Sequence, residues 1–172
     1  DTNIHGNGAN TINTAPVAPE VEEIVEDPCE NLNNKIDPTK ANLKQDIIEL
    51  QQKVNQNGEY GKSLSKDLNG NYSSADVPNS RDLKIKIPYG GFYYGSIHTH
   101  PYLISVPMFS WTDVFSLQLF LQEALVSNQT EITIILVCKD SNGILQTYAL
   151  AIDDPDTLYN AIINDIQSNI SS

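Results

Sequence analysis

The sequence predicts an α/β protein, α+β layered, in which a mixed central β-sheet is flanked by helices. Apolar residues recur at helical spacing in three segments, near the start, the middle and the end of the 172-residue chain. Between these segments lie short apolar stretches bounded by glycine, proline and asparagine, which is typical of strands. The predicted order is therefore helix, several strands, helix, two strands, helix, all within one domain.

The two ends of the chain differ in composition. Residues 1–29 are rich in asparagine, threonine, proline and glutamate, so we expect a disordered acidic tail or linker there. Residues 30–172 are predicted to form the folded domain. No signal peptide is recognisable and the first residue is Asp1. The polar, acidic-led tail and a first residue other than Met favour a domain that is processed from a longer chain and exported or tethered at the cell envelope.

The first helix is predicted to begin near Asp37-Pro38, because aspartate is a good N-cap and proline is tolerated at the first helical position. It should end at 55–58, where asparagine and glycine follow the periodic segment. Four residues form its apolar face: Leu43, Ile47, Leu50 and Val54.

Several strands are predicted after this helix. Residues 60–65 read as a short strand. The alternation of apolar residues with lysines over 83–87 predicts a half-buried strand, which a turn at Gly90-Gly91 would join to a second strand over 92–100. A further hairpin is predicted around Asn142-Gly143, a strong signal for a two-residue turn.

Two more helices complete the predicted domain. The second helix follows Pro107, and five residues form its broad apolar face: Val114, Leu117, Phe120, Leu121 and Leu125. Asp154-Pro155 is predicted to cap a final helix, whose apolar residues recur at intervals of four: Leu158, Ile162, Ile166 and Ile170.

Charge and cysteine content restrict the partners and the compartment. The formal net charge is −12, and nine of the ten Lys and Arg residues lie between Lys35 and Lys86. An acidic surface repels phosphate backbones, so we expect no nucleic-acid partner. The longest apolar run, Ile132–Cys138, is far shorter than the ~20 residues that cross a bilayer, so no transmembrane segment is expected. Cys138 is typical of a buried free thiol, whereas a Cys29–Cys138 disulfide would indicate an oxidising compartment.

Two of the three histidines, His98 and His100, stand two positions apart at the end of a predicted strand. Residues at this spacing project from the same face of a strand. Two imidazoles on one face supply half of a tetrahedral zinc site, and Pro101 ends the strand where ligands are needed. The third histidine, His5, lies in the predicted tail.

A third ligand is expected from the start of the second helix. Asp113 lies there, and a carboxylate added to two histidines leaves one position open for water, as in catalytic zinc sites. Ser110-Trp111-Thr112-Asp113 has a second interpretation, since serine followed three residues later by an acid is close to a capping box. Both interpretations stand at the level of sequence.

The segment His98-Thr99-His100-Pro101 followed by Ser110-Trp111-Thr112-Asp113 resembles the JAMM motif, HxHP-x(n)-SxxD, of the MPN-plus zinc metallopeptidases. The resemblance covers residues 30–172 and implies a cytidine-deaminase-like MPN fold. It also implies one Zn²⁺ per chain bound by His98, His100 and Asp113, with Ser110 stabilising the tetrahedral intermediate. Nine residues, 101–109, separate His100 from Ser110, two more than is usual in the family.

The resemblance further implies a glutamate on an earlier strand that activates the zinc-bound water. Glu59, 39 residues before His98, is the candidate within this motif, although taken alone it is typical of an ordinary turn carboxylate beside Gly58. Other classes of enzyme whose sites contain an HxH pair also need residues that this chain lacks, such as further histidines or a PCxxC segment.

The expected function is a zinc metallopeptidase or isopeptidase that hydrolyses an amide bond of a protein or peptide substrate with a zinc-activated water. One alternative is a non-catalytic MPN-like binding or scaffold module. Another is a structural zinc site closed by Cys138 or His5. Four aromatic residues flank the predicted site and either line a groove or pack in the core: Tyr93, Tyr94, Tyr102 and Trp111.

Overall fold

Five strands form one mixed sheet within the part of the chain that the computed structural model describes. That part comprises Asp37, Lys40, 42–79, 84–102, 106–154, Thr157 and Asn160. The strands are β1 (Gly61–Lys66), β2 (Tyr72–Val77), β3 (Tyr93–Thr99), β4 (Thr133–Lys139) and β5 (Leu145–Ala151). Their spatial order is β2-β1-β3-β4-β5. Strands β3 and β4 run parallel and the other neighbours are antiparallel, which confirms the predicted α/β class with a mixed central sheet.

Helices cover both faces of this sheet. They are α1 (Leu43–Lys53), α2 (Trp111–Glu123) and the short α3 (Val126–Gln129). Because side chains alternate along β4, the two apolar clusters lie on opposite faces. The α1 cluster contains Leu43, Leu50, Val54, Leu64, Tyr94, Ile97, Ile135 and Val137. The α2 cluster contains Leu117, Phe120, Ile132, Ile134 and Ile152. Among the described helices, none has the length and apolar character needed to cross a membrane.

The predicted start of the first helix was wrong. Helix α1 begins at Leu43, and Asn42 occupies its N-cap position without a side-chain cap. Asp37 instead begins a separate turn, in which its carbonyl accepts from Lys40 N at 2.9 Å. The Lys40 side chain is held by an ion pair to Glu131 at 2.8 Å, and this tertiary contact favours a turn where the sequence alone favoured a helix.

The strand predicted over 83–87 does not form over its described part, residues 84–87. Ile85 forms only an isolated bridge to Asn79, and β3 pairs with β1 and β4 instead. Instead of joining the sheet, the segment that follows Lys84 lies over the face of the sheet that α2 covers, close to Gly61. A Cβ atom at Gly61 would lie 2.8 Å from the Ile97 carbonyl oxygen and would also collide with the Ile85 side chain, so this close approach requires glycine.

Other predicted elements agree with the structure. Strand β1 matches the strand predicted over 60–65, and β4 and β5 form the predicted hairpin, in which Gly143 has φ 78°. The predicted second helix is divided, because Ala124 is extended between α2 and α3. Asp154 accepts from Thr157 N at 3.0 Å, as expected of an N-cap.

Several predictions fall on residues outside the described ranges. They concern the tail over 1–29 and the four apolar residues of the final helix. Within that predicted helix only Thr157 and Asn160 are described, and both are helical. The Cys29–Cys138 disulfide is outside for the same reason. Cys138 itself is 1% exposed and is a free thiol among the described residues.

Glu131 joins the residues before α1 to the edge of the sheet. Its carboxylate accepts from Lys40 at 2.8 Å, from Tyr72 Oη at 2.6 Å and from Lys66. Burial raises the pKa of this carboxyl, but the three hydrogen bonds outweigh burial and hold the pKa at about 2, below its ordinary 4.5. The carboxylate therefore stays ionised in the folded chain at pH values where the unfolded chain takes up a proton.

We expect Glu131 to make the fold sensitive to acid. Its stabilisation is fully present above pH about 4.5 and is lost as the pH falls to about 2. Glu131→Gln should lower the free energy of unfolding by about 3 kcal/mol at neutral pH, and this difference from wild type should shrink through that window. Denaturant titrations at several pH values measure it, with the exposed Glu123→Gln as control. A difference that stays constant from pH 5 to pH 2 would contradict the assignment.

Candidate metal centre

Strand β3 presents both histidines on the side of the sheet that α2 covers. The register between β1 and β3 shifts by one residue, which makes Tyr94 the extra residue of a β-bulge. This explains why Tyr94 and Ile97, three positions apart, both pack on the α1 side. After the bulge normal alternation places His98 and His100 on the opposite side. Both are buried, with 4% and 8% exposure, and their ring centroids are 5.2 Å apart.

The N-terminus of α2 fixes Asp113 through a capping box. The Asp113 Oδ2 atom accepts from Ser110 N at 2.6 Å and from Ser110 Oγ at 2.8 Å, while Asp113 N donates back to Ser110 Oγ at 3.3 Å. The capping interpretation of the sequence is therefore confirmed. The cap occupies Oδ2 and leaves Oδ1 directed at His98.

The side chains of His98, His100 and Asp113 lie close together. Asp113 Oδ1 lies 3.2 Å from His98 Nε2, and Asp113 Oδ2 lies 3.8 Å from His100 Nε2. One ligand atom from each residue lies within 4.8 Å of the others. Ligands about 2.0–2.1 Å from a tetrahedral ion lie about 3.3 Å from one another. The Asp113–His98 separation already matches that of two such ligands, and the other separations, none above 4.8 Å, are those of a group that could hold an ion once the side chains move inward.

His98 supplies an independent indication that a metal fits here. Its Nε2 atom is buried and has no hydrogen-bond partner among the described residues. The carboxylate of Asp113 lies close to it, with Oδ1 3.2 Å from Nε2. Buried polar atoms without partners are rare and call for an explanation. An imidazole nitrogen aimed at a carboxylate and a second imidazole is suited to bind a cation.

The tautomer of His100 follows from its other contact. Its Nδ1 atom lies 3.0 Å from the carbonyl oxygen of Val106. A carbonyl only accepts hydrogen bonds, so Nδ1 carries the proton and donates. In the neutral ring Nε2 then keeps its lone pair, directed toward Asp113. Metal-binding histidines are commonly held in this way by a carbonyl behind the ring.

Asp113 is ionised over the whole physiological range. Burial raises the pKa of its carboxyl, but the interaction with His98 and the hydrogen bonds from Ser110 outweigh burial and lower the pKa to about 2. A cation binding here therefore displaces no proton from this carboxylate.

Glu59 lies at the edge of the same cleft. Gly61 pairs with His98 in the antiparallel β1–β3 ladder, and Tyr60 continues the pairing, since its carbonyl accepts from Thr99 N at 2.8 Å. Glu59 comes two residues before Gly61, outside the paired part of β1. Glu59 is half-buried, and it accepts from Ile85 N at 3.4 Å.

The three converging side chains lie in an open cleft of about 1060 Å³ between the segment after Lys84 and the start of α2. Glu59 and Ser110 also line it. Of the four flanking aromatic residues, Trp111 lines the cleft and is 72% exposed. The other three pack against the apolar clusters: Tyr93, Tyr94 and Tyr102.

A fourth protein ligand is not found among the described residues. The group that could hold an ion consists of His98, His100 and Asp113, and Cys138 is not part of it. His5 lies outside the described ranges. The carbonyl of Val106 is a feature that sequence reasoning missed. No sequence signal could have found it, because a backbone acceptor carries no residue preference.

No protein-family model matches the sequence, and the search of curated proteins found no match. The resemblance to the JAMM metallopeptidases therefore depends on the motif residues themselves.

Proposed function

We propose that this chain is a zinc-dependent hydrolase of amide bonds, a metallopeptidase or isopeptidase acting on a protein or peptide substrate. The proposed fold is the cytidine-deaminase-like MPN fold, a finer assignment than the α/β class. The observation that carries the proposal is the convergence of two buried imidazoles and an ionised carboxylate in an open cleft. Sites with three such ligands and an accessible position are usually catalytic.

The ligand residues have separate tasks in this proposal. His98 and His100 would bind zinc through Nε2, and Asp113 would bind it through Oδ1, since its Oδ2 atom is engaged by Ser110. Bound zinc would supply a Lewis acid for the scissile carbonyl and lower the pKa of a water ligand toward neutrality. The mixed nitrogen and oxygen donors are ones that zinc accepts.

Glu59 is the proposed general base. It takes a proton from the attacking water and passes it to the leaving amine. Its support is its place in the lining of the cleft that His98, His100 and Asp113 also line. The role predicted for Ser110 is donation to the oxyanion of the tetrahedral intermediate, although its hydroxyl already donates to Asp113 Oδ2 at 2.8 Å.

Zinc dependence of hydrolysis tests the proposal. The purified chain should contain one zinc per molecule and should cleave members of a fluorescence-quenched peptide library or a lysine ε-amide conjugate. Removal of zinc with a chelator should abolish cleavage, and added Zn²⁺ should restore it. A zinc-loaded chain that cleaves neither amide type would refute the hydrolase. A chain without zinc would favour the non-catalytic MPN-like module.

A further inference from the structure

The hydroxyl of Ser110 is engaged within the protein. It donates to Asp113 Oδ2 at 2.8 Å and accepts from Asp113 N at 3.3 Å. A serine hydroxyl carries one proton, so while it donates to Asp113 it cannot donate to an oxyanion. The backbone N–H of Ser110 donates to the same oxygen at 2.6 Å. Both donors of Ser110 therefore act on a proposed metal ligand.

The same loop also holds His100. The Val106 carbonyl accepts from His100 Nδ1 at 3.0 Å and from Met108 N at 2.9 Å. The second bond closes a three-residue turn with Pro107 at its centre. The central φ of an inverse γ-turn is about −75°, and proline is fixed near −65°. Pro107 is thus suited to keep the Val106 carbonyl on the His100 ring.

We infer that residues 106–110 orient the metal ligands, with Pro107 setting His100 through the Val106 carbonyl and Ser110 setting Asp113. Ser110 is accordingly a positioning residue, and the role in oxyanion stabilisation passes to other groups. The loop between His100 and Ser110 is two residues longer than is usual in the JAMM family. The contacts of Val106 with His100 and of Ser110 with Asp113 form despite this extra length. The inference rests on the zinc site of the proposed function, but not on hydrolysis.

Zinc affinity separates positioning from oxyanion stabilisation. Loss of a partner behind a metal ligand typically costs about 10–100-fold in affinity. We expect that loss for Ser110→Ala and for Pro107→Ala in competition with a chromophoric chelator. Ser110→Thr, which keeps the hydroxyl, should recover most of the affinity. Ser127→Ala and the exposed Pro78→Ala serve as matched controls and should bind zinc as wild type does.

Activity then gives a second readout. Hydrolysis lost by Ser110→Ala at limiting zinc should return when Zn²⁺ is added in excess. An oxyanion donor instead predicts unchanged affinity and a loss of about 10²–10³ in kcat that zinc does not restore, and this result would overturn the inference. If zinc-loaded wild type hydrolyses nothing, the affinity series still decides the positioning roles, and only the proposed function fails.

Histidine NMR provides a measurement on the metal-free chain. Long-range ¹H–¹⁵N correlations should show the Nδ1–H tautomer of His100 in wild type and a tautomer mixture in Pro107→Ala. A wild-type ring protonated on Nε2 alone would contradict the contact with Val106, and with it the inference.

Discussion

Glu59→Gln should lower kcat by about 10²–10⁴-fold, the usual contribution of a general base, while zinc stays bound. Glutamine keeps the shape of the side chain and the oxygen that accepts from Ile85 N, so the cleft should keep its form. It cannot take up a proton. Glu59 also lies outside the group of three ligand residues, so the zinc content should be that of wild type. Zinc analysis together with steady-state kinetics on the same preparation measures both effects.

Glu123→Gln is the matched control for this change. Glu123 is an exposed carboxylate at the last residue of α2 and does not line the cleft, so its replacement should leave kcat unaltered. Full turnover by Glu59→Gln would show that another group accepts the proton. Loss of zinc from Glu59→Gln would mean that Glu59 is itself a ligand.

His98→Ala and Asp113→Asn should each remove zinc from the chain and abolish hydrolysis. The loss of affinity should exceed the about 10–100-fold that is typical for partners behind a ligand, since each change removes a donor atom itself. Asp113→Asn is the more informative variant. Its amide oxygen can still accept from Ser110, so the capping box of α2 should survive while the charge is removed. Equilibrium dialysis against Zn²⁺ measures the binding.

His5→Ala provides the histidine control, because this third histidine lies in the predicted tail. It should retain one zinc per chain. Loss of zinc from His5→Ala would support a closed structural site with a fourth protein ligand. Full zinc occupancy in Asp113→Asn would contradict the proposed ligand set.

The converging residues could be predicted because two local rules act on them. Strand periodicity places His98 and His100 on one face whatever the strand pairs with. A serine–aspartate cap sets Asp113 at the start of a helix whatever the helix packs on. Both rules involve only residues that are near one another in the chain, so both placements could be predicted from the sequence alone.

Features that depend on distant contacts could not be predicted in this way. Residues 83–87 alternate as a strand should, yet β1 and β4 occupy both edges of β3, so only an isolated bridge forms at Ile85. The bulge at Tyr94 has no signal in the chain, although it decides which face carries the histidines. The contact of Val106 with His100 depends on a backbone atom, which sequence patterns do not encode.

We propose that two imidazoles and one carboxylate bind a single zinc and leave a position open. X-ray absorption at the zinc K-edge of the loaded chain measures these neighbours. We expect only nitrogen and oxygen neighbours at about 2.0–2.2 Å, including two imidazole rings. A sulfur neighbour at about 2.3 Å would place a cysteine on the metal and refute the proposed ligand set.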